Sequence, residues 1–471
     1  MIVSLEYGDG RREVGVPDGS AVVSPQYMSH EPAPLPDPVA ATADALDNPV
    51  GGGRIEDLVG SRSSVTIAFP DRVKGGAHAT AHRRVALRLI LERLRRAGVR
   101  DEDVHLLCAI GLHRKNRPDE MRAYLGGIYD DIIDRTTNHD AEDPDGIVTL
   151  PKSSEGDVVA ANRRLVESDL SILLGHATGN PYGGYSGGYK MPATGLTTWR
   201  SIAGHHTPGT LLRDDFAPAN THSHFREQLR AIGRRIEEAM PRPFFAVDAV
   251  LDSANRQVCV AAGTIPEVEQ ATWPLAARRT EASLDIDPAD VLLVGIPRNF
   301  HYGPGMGTNP ILMMQSLGAS LVRAKAALVE RPWVVGVARC DGWFNDRDFP
   351  SYHAVYDLLQ HCHGPGEMKG YEEEVCTDPE WIFRYREQYA YHPFHAFSMI
   401  YMGAVLLHHA AGVYIAGAKE PGFARGMGAR TTPTAEDALA DIGRNLGREP
   451  RVLVVPALTE PAFHVRAGGA A

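Results

Sequence analysis

A buried strand, a polar loop and a helix follow one another three times between residues 64 and 175, and that order leaves few folds open. "SVTIAF" (Ser64–Phe69) is apolar and β-rich, passes into "PDRVKGG", and precedes a helical period from Ala77 to Ala97 closed by Gly98. "DVHLLCAI" (Asp103–Ile110) runs into "GLHRKNRPDE" and then "MRAYLGGIYDDII", which reads as helical. "DVVAANRRLVES" also reads as helical and leads into "DLSILLG" (Asp169–Gly175). Strands alternating with helices predict an α/β fold with a mostly parallel sheet. Ligands of such sheets bind beyond the carboxyl ends of the strands. Those ends carry Asp71, Arg72 and Lys74, then His113 and Arg114, then His176, Asn180 and Lys190.

The rest of the chain extends the pattern. Two short strands flank "GDGRR" at the start, a charged helix occupies residues 221–240, and "FFAVDAVLD" with "RQVCVAAG" alternates like an antiparallel hairpin. "DVLLVGIP" opens a second α/β unit, with a loop "HYGPGMGTNP", a helix Ile311–Val329 and the strand "WVVGVARC". A chain of 471 residues is long for one core. The expected organisation is therefore two α/β domains with mostly parallel sheets and an interdomain cleft: residues 1–275 and residues 288–430, with a linker around Ala276–Asp287. The tail 431–471, with a helix Ala435–Leu446 and the strand "RVLVVPAL", is expected to pack back on the first domain.

Several function classes are disfavoured. No run approaches the ~20 uncharged apolar residues of a membrane span, and the N-terminus lacks a signal-peptide layout, so a cytoplasmic location without a membrane partner is expected. Five scattered cysteines without a C-x-x-C pair signal neither a disulfide framework nor a cysteine zinc site. A formal charge of −11 argues against a nucleic-acid footprint.

The segment "GHATGNPYGGYSGGYKMP" (Gly175–Pro192) is too rich in glycine and proline for a helix or strand interior. Bare backbone after a buried strand can cradle an anion, or it can simply make a tight turn. Lys190, which ends it, is either a solvated surface lysine or one desolvated at the crevice mouth and so able to act as a nucleophile. His205 and His206 follow in "SIAGHHTPG"; neighbours on an extended chain point apart, so at most one of them should ligate a metal.

Together these residues resemble the nickel-pincer lactate racemase family, from roughly Gly52 to Gly417. "GYSGGYK" is close to that family's G-[FY]-S-G-G-x-K segment, "PDRVK" to its D-x-T-R loop, "IGLHR" to its strand-end histidine segment, and "GVARCDGWF" to a strand of its second domain. The resemblance implies a cytoplasmic isomerase, a racemase or epimerase of a 2-hydroxy acid or related hydroxy compound, acting by reversible hydride transfer. It implies a nickel-pincer nucleotide, a pyridinium thioamide/thiocarboxylate mononucleotide tethered to Lys190. Ser186, Gly187 and Gly188 would shape its loop, and His206 would ligate nickel. His113 would be an acid/base, Asp71 and Lys74 would orient it or the substrate, and His176 or Asn180 would line the opposite face. Cofactor-biosynthesis enzymes would be partners.

The sequence also departs from the family. Asn180 stands where the second family histidine would be, Lys74 replaces the arginine of D-x-T-R, and "NPILMMQSLG" holds neither tyrosine nor lysine of the family's Y-Q-x-x-K helix. Two expectations follow: a different substrate contacted by Arg298, His301 or Tyr302 from "IPRNFHYGPG", or a paralogue that binds the cofactor or a small ligand without racemising it.

Overall fold

The computed structural model describes residues 1–23, 32–179, 183–218, 220–458 and 464–467. Its first sheet has six strands in the order Thr136–Asn138, Val104–Ala109, Val65–Pro70, Leu170–Ala177, Phe245–Leu251 and Gln257–Gly263. All neighbours run parallel except the last two, which form the expected hairpin. Val65–Pro70 and Leu170–Ala177 are buried along their whole length, as strands covered on both faces must be.

The second sheet has eight strands built around Ala289–Pro297, whose nine residues are all buried. One edge of this strand pairs with Leu328–Val337, which leads on to Gly412–Ala416 and Arg430–Thr432. Its other edge is shared: Val291–Val294 pair with Val452–Val455, while Ile296 and Pro297 pair with Tyr7 and Gly8. The N-terminal hairpin, Ile2–Gly8 with Gly10–Gly15, and the short strand Ala21–Val22 therefore belong to this sheet.

Three expectations are corrected here. Residues 1–22 and the strand of the tail join the second sheet rather than the first, because a fully buried central strand must have its backbone groups paired on both edges. The segment Ala276–Asp287 is no open linker. The helix Ile265–Thr280 runs into it with Ile265, Val268, Thr272 and Ala276 buried at helical spacing, and Glu281–Leu284 then pairs with His464–Ala467. In "DVVAANRRLVES", Val159–Asn162 is a strand paired with Ile147–Leu150, and only Arg163–Glu167 is helical, capped where the Asn162 side chain accepts the Arg164 N–H at 3.1 Å.

One apolar cluster fills the outer face of each sheet, and a third runs continuously between them. At the centre of that third cluster lie the helices Pro310–Ala324 and Phe394–His409. They approach so closely that a Cβ on Gly318 would overlap the Met402 carbonyl oxygen. Among the described residues no helix is long and apolar enough to cross a membrane.

Candidate active site

The strands Leu170–Ala177, Val65–Pro70 and Val104–Ala109 lie side by side, so the segments leaving their carboxyl ends converge. They open onto a cavity of about 620 Å³ whose opposite wall comes from residues 300–323 and 395–399 of the second unit. Asp71, Lys74, His113, His176, Ser186, Gly187, Lys190, His206, His301 and Tyr302 all line it.

His113 and Asp71 form its most defined pair, with Nδ1 and Oδ2 2.7 Å apart. Burial pushes the Asp71 carboxyl up, but the His113 imidazole and the charges of Lys74 and Arg72 outweigh it and hold the group at about 2. Burial, together with the charges of Lys74 and Arg72, lowers His113 by more than Asp71 raises it, so the imidazole is neutral near pH 7. With Nδ1–H given to a carboxylate, Nε2 is left as the basic nitrogen. The ring sits among Tyr302, Tyr391 and His395, at centroid distances of 5.2, 5.6 and 5.7 Å.

The glycine segment explains itself locally. Ser186 donates its hydroxyl to the His176 carbonyl at 2.8 Å and accepts the Thr178 N–H at 3.2 Å, tying the returning loop to the strand it left. Gly187 and Gly188 have φ of 80° and 50°, and buried carboxylates lie against both: a Cβ would overlap Asp248 at Gly187 and Glu269 at Gly188. Gly188 N–H donates to Asp248 at 3.0 Å, which places Gly188 behind the cavity wall rather than on it. Burial raises Asp248 to about 7. Lys190 then enters a π-helical turn, Met191–Gly195, a form that recurs at functional sites. Surrounded by protein yet open to the cavity, its ammonium is lowered well below the usual lysine range, by burial and then by Lys74 and Arg226.

His206 follows the helix Trp199–His205 and faces the cavity, whereas His205 turns inward to Thr194 Oγ1 at 3.2 Å. Burial holds both imidazoles in the neutral form. His176, at its strand end, is likewise held neutral by burial and by neighbouring positive charge, Lys74 first.

Arg298 does not join them. Its guanidinium bonds Asp9 at 3.2 Å and stacks over Trp343, because the chain turns into the cavity only after it, at Phe300. Asn180 lies outside the described residues. Several wall residues were not named as site residues from the sequence: His395, Arg279, Arg323 and Gln315. A usable signal existed for two of them, since Gln315 and Arg323 are the only long polar side chains in an otherwise apolar helix. His395 is buried, with Nδ1 2.6 Å from the Tyr352 hydroxyl.

Residues 7–215 match the lactate racemase N-terminal domain family. The chain is 26% identical to the lactate racemase of Thermoanaerobacterium thermosaccharolyticum over 34% of its own length and 36% of that protein's. It is 26% identical to the lactate racemase of Lactiplantibacillus plantarum over 35% and 37%. The matched sequence thus spans little more than a third of either relative. The fold extends further: the lactate racemase apoprotein from T. thermosaccharolyticum superposes with a TM-score of 0.70 at 17% identity, over 99% of this chain and all of that one. A crystal structure of a Thermotoga maritima protein superposes with a TM-score of 0.56 at 13% identity, over 93% of this chain and 99% of that one. The chain is thus similar in sequence to the lactate racemases over about a third of its length, and similar to one of them in fold over nearly all of it.

Proposed function

We propose that this protein is a racemase or epimerase of a 2-hydroxy acid or related hydroxy compound, working with a nickel-pincer nucleotide tethered to Lys190. The observation that carries this reading is the meeting of Lys190, His206 and the His113–Asp71 pair on the wall of one cavity.

The residues fit such a group. Burial favours the uncharged amine of Lys190, which is the form that can make a covalent bond, and His206 offers a neutral imidazole, the form that ligates metals. Among the described residues there is no group of three or more His, Cys, Asp or Glu able to hold a metal ion. Nickel here would depend on donors brought by the nucleotide, with His206 as the protein's own ligand. When bound, that group supplies a hydride acceptor.

The chain's part is acid/base chemistry and orientation. His113, fixed by Asp71, takes the proton of the substrate hydroxyl at Nε2 and returns it. Lys74 presents a positive charge to the substrate from the same loop as Asp71, and His176 lines the wall beyond the neighbouring strand.

The test is intact-protein mass with nickel content, on protein co-expressed with pincer-cofactor biosynthesis enzymes, for wild type and Lys190→Ala. A mononucleotide-sized adduct with about one nickel per chain, absent from the variant, is expected under the pattern of cofactor-borne chemistry. An unmodified wild type, with a known lactate racemase loading in parallel, overturns the proposal. An adduct without exchange of substrate α-hydrogen across a broad hydroxy-acid panel favours the paralogue that does not racemise.

A further inference from the structure

The acid/base pair of the first unit is held in place by the second. His113 is flanked on both sides by bonds to residues 385–392: the His392 N–H donates to the Leu112 carbonyl at 3.0 Å, and the Lys115 ammonium donates to the Arg386 carbonyl at 2.9 Å. The Tyr385 hydroxyl accepts the Ala141 N–H at 3.0 Å and ties the same segment to the first unit once more.

Tyr391 is where this segment meets the reacting pair. Its ring lies 5.6 Å from that of His113 and stacks on Phe349 at 4.5 Å. It is 1% exposed and does not line the cavity, so it touches His113 from behind the wall. Its hydroxyl is 3.2 Å from Arg72 Nη2 and 3.2 Å from the Tyr302 carbonyl oxygen. A guanidinium can only donate and a carbonyl can only accept, so the phenol accepts from Arg72 and donates to Tyr302. Burial pushes the phenol up, which keeps that proton on it. Arg72 also reaches the Tyr302 carbonyl, at 3.4 Å, and closes a triangle.

Each corner of the triangle is tied to the reacting end. Arg72 follows Asp71, the partner of His113, but unlike Asp71 it does not line the cavity. Tyr302 does line it, with its ring 5.2 Å from His113 on the opposite wall. The triangle therefore sets the two walls against each other at the acid/base pair.

We propose that Tyr391 is a positioning residue for His113, its hydroxyl locking Arg72 and the Tyr302 loop so that the second unit fixes the place of the first unit's base. This rests on the role given to His113 above. Arg72 Nε also lies 3.7 Å from Glu120, so without the phenol the guanidinium swings toward that carboxylate and away from His113.

Nuclear magnetic resonance of the full chain with carbon-13-labelled histidine tests this without cofactor or substrate. The His113 signal is identified by its loss in His113→Gln and titrated in wild type, Tyr391→Phe and Arg72→Met. Among the described residues the charged and titratable groups around His113 are Asp71, Arg72 and Lys74 from its own unit, and His301, His395 and the two tyrosines from the second. Of the charged ones only Arg72 is bonded to the Tyr391 hydroxyl. Arg72→Met should raise the titration midpoint of His113 by roughly 0.3 pH unit or more, and Tyr391→Phe, which removes no charge, should raise it in the same direction. A single cooperative melting transition shows that each variant folds. A midpoint unmoved in either variant, or moved down, overturns the proposal; a merely structural tyrosine would lower the melting temperature and leave the midpoint where it was. In protein carrying the adduct, any α-hydrogen exchange found on the hydroxy-acid panel should slow at least fivefold in Tyr391→Phe at unchanged adduct mass, and an equal rate overturns the positioning role. Absence of the adduct from wild type rejects the function proposed above and leaves the titration to decide this proposal alone.

Discussion

His113 and Asp71 divide one task. The carboxylate is ionised throughout the useful pH range and fixes which imidazole nitrogen is basic. His113→Ala should lower kcat by roughly 10²–10⁴, the usual worth of a positioned acid/base group, while the mass of the loaded protein stays that of wild type. Asp71→Asn gives a different signature. Because Asp71 raises the His113 pKa against burial, its neutralisation should move the acid limb of the pH–rate profile further down, with a lower plateau where the tautomer is no longer fixed. A limb that moves up would reject this division of roles. Arg298 shows what motif proximity cannot tell: it stands two residues before Phe300 of the cavity wall, yet its charge is spent on Asp9.

At the scale of elements, the glycine loop is shaped by what lies behind it. Asp248 and Glu269 occupy the space that side chains at residues 175, 187 and 188 would need. Gly188→Ala adds a clash to a left-handed backbone and should cost about 2 kcal/mol or more, read as a fall in the denaturation midpoint together with poorer modification of Lys190. Asp248 itself binds a proton more tightly folded than unfolded, since its pKa is raised from 3.8 to about 7. It therefore removes stability as pH rises through that window. Asp248→Asn lacks this loss, so the melting temperature of the variant relative to wild type should be higher at pH 8 than at pH 5. Much of this level was legible in the sequence. The strands at 65–70, 104–109 and 170–177 were marked by unbroken apolar runs, and the convergence of Asp71, His113, His176 and Lys190 followed from their order. Asp248, Arg279 and His395 were not legible, because each reaches the loop or the cavity from a segment distant in sequence, and nothing local distinguishes it from an ordinary buried polar residue.

At the scale of the molecule, the two sheets are stitched by a shared core and by a second sheet assembled from both ends of the described chain. Deleting residues 431–471 should therefore do more than remove a tail. It leaves Val291–Val294 without the Val452–Val455 ladder and Ala21–Val22 without its partner, and should yield an insoluble or non-cooperatively melting protein, checked by expression and thermal denaturation. A soluble, cooperatively melting 1–430 chain would show the ladder to be dispensable. The same shared edge sets an order of events on the ribosome. The hairpin at residues 2–15 must wait for its partner strand 289–297, a delay of roughly 15–55 s at bacterial-to-eukaryotic elongation rates. For that interval its edge is unguarded, and the nascent chain carries the lysine of its glycine loop before the facing cavity wall has been synthesised.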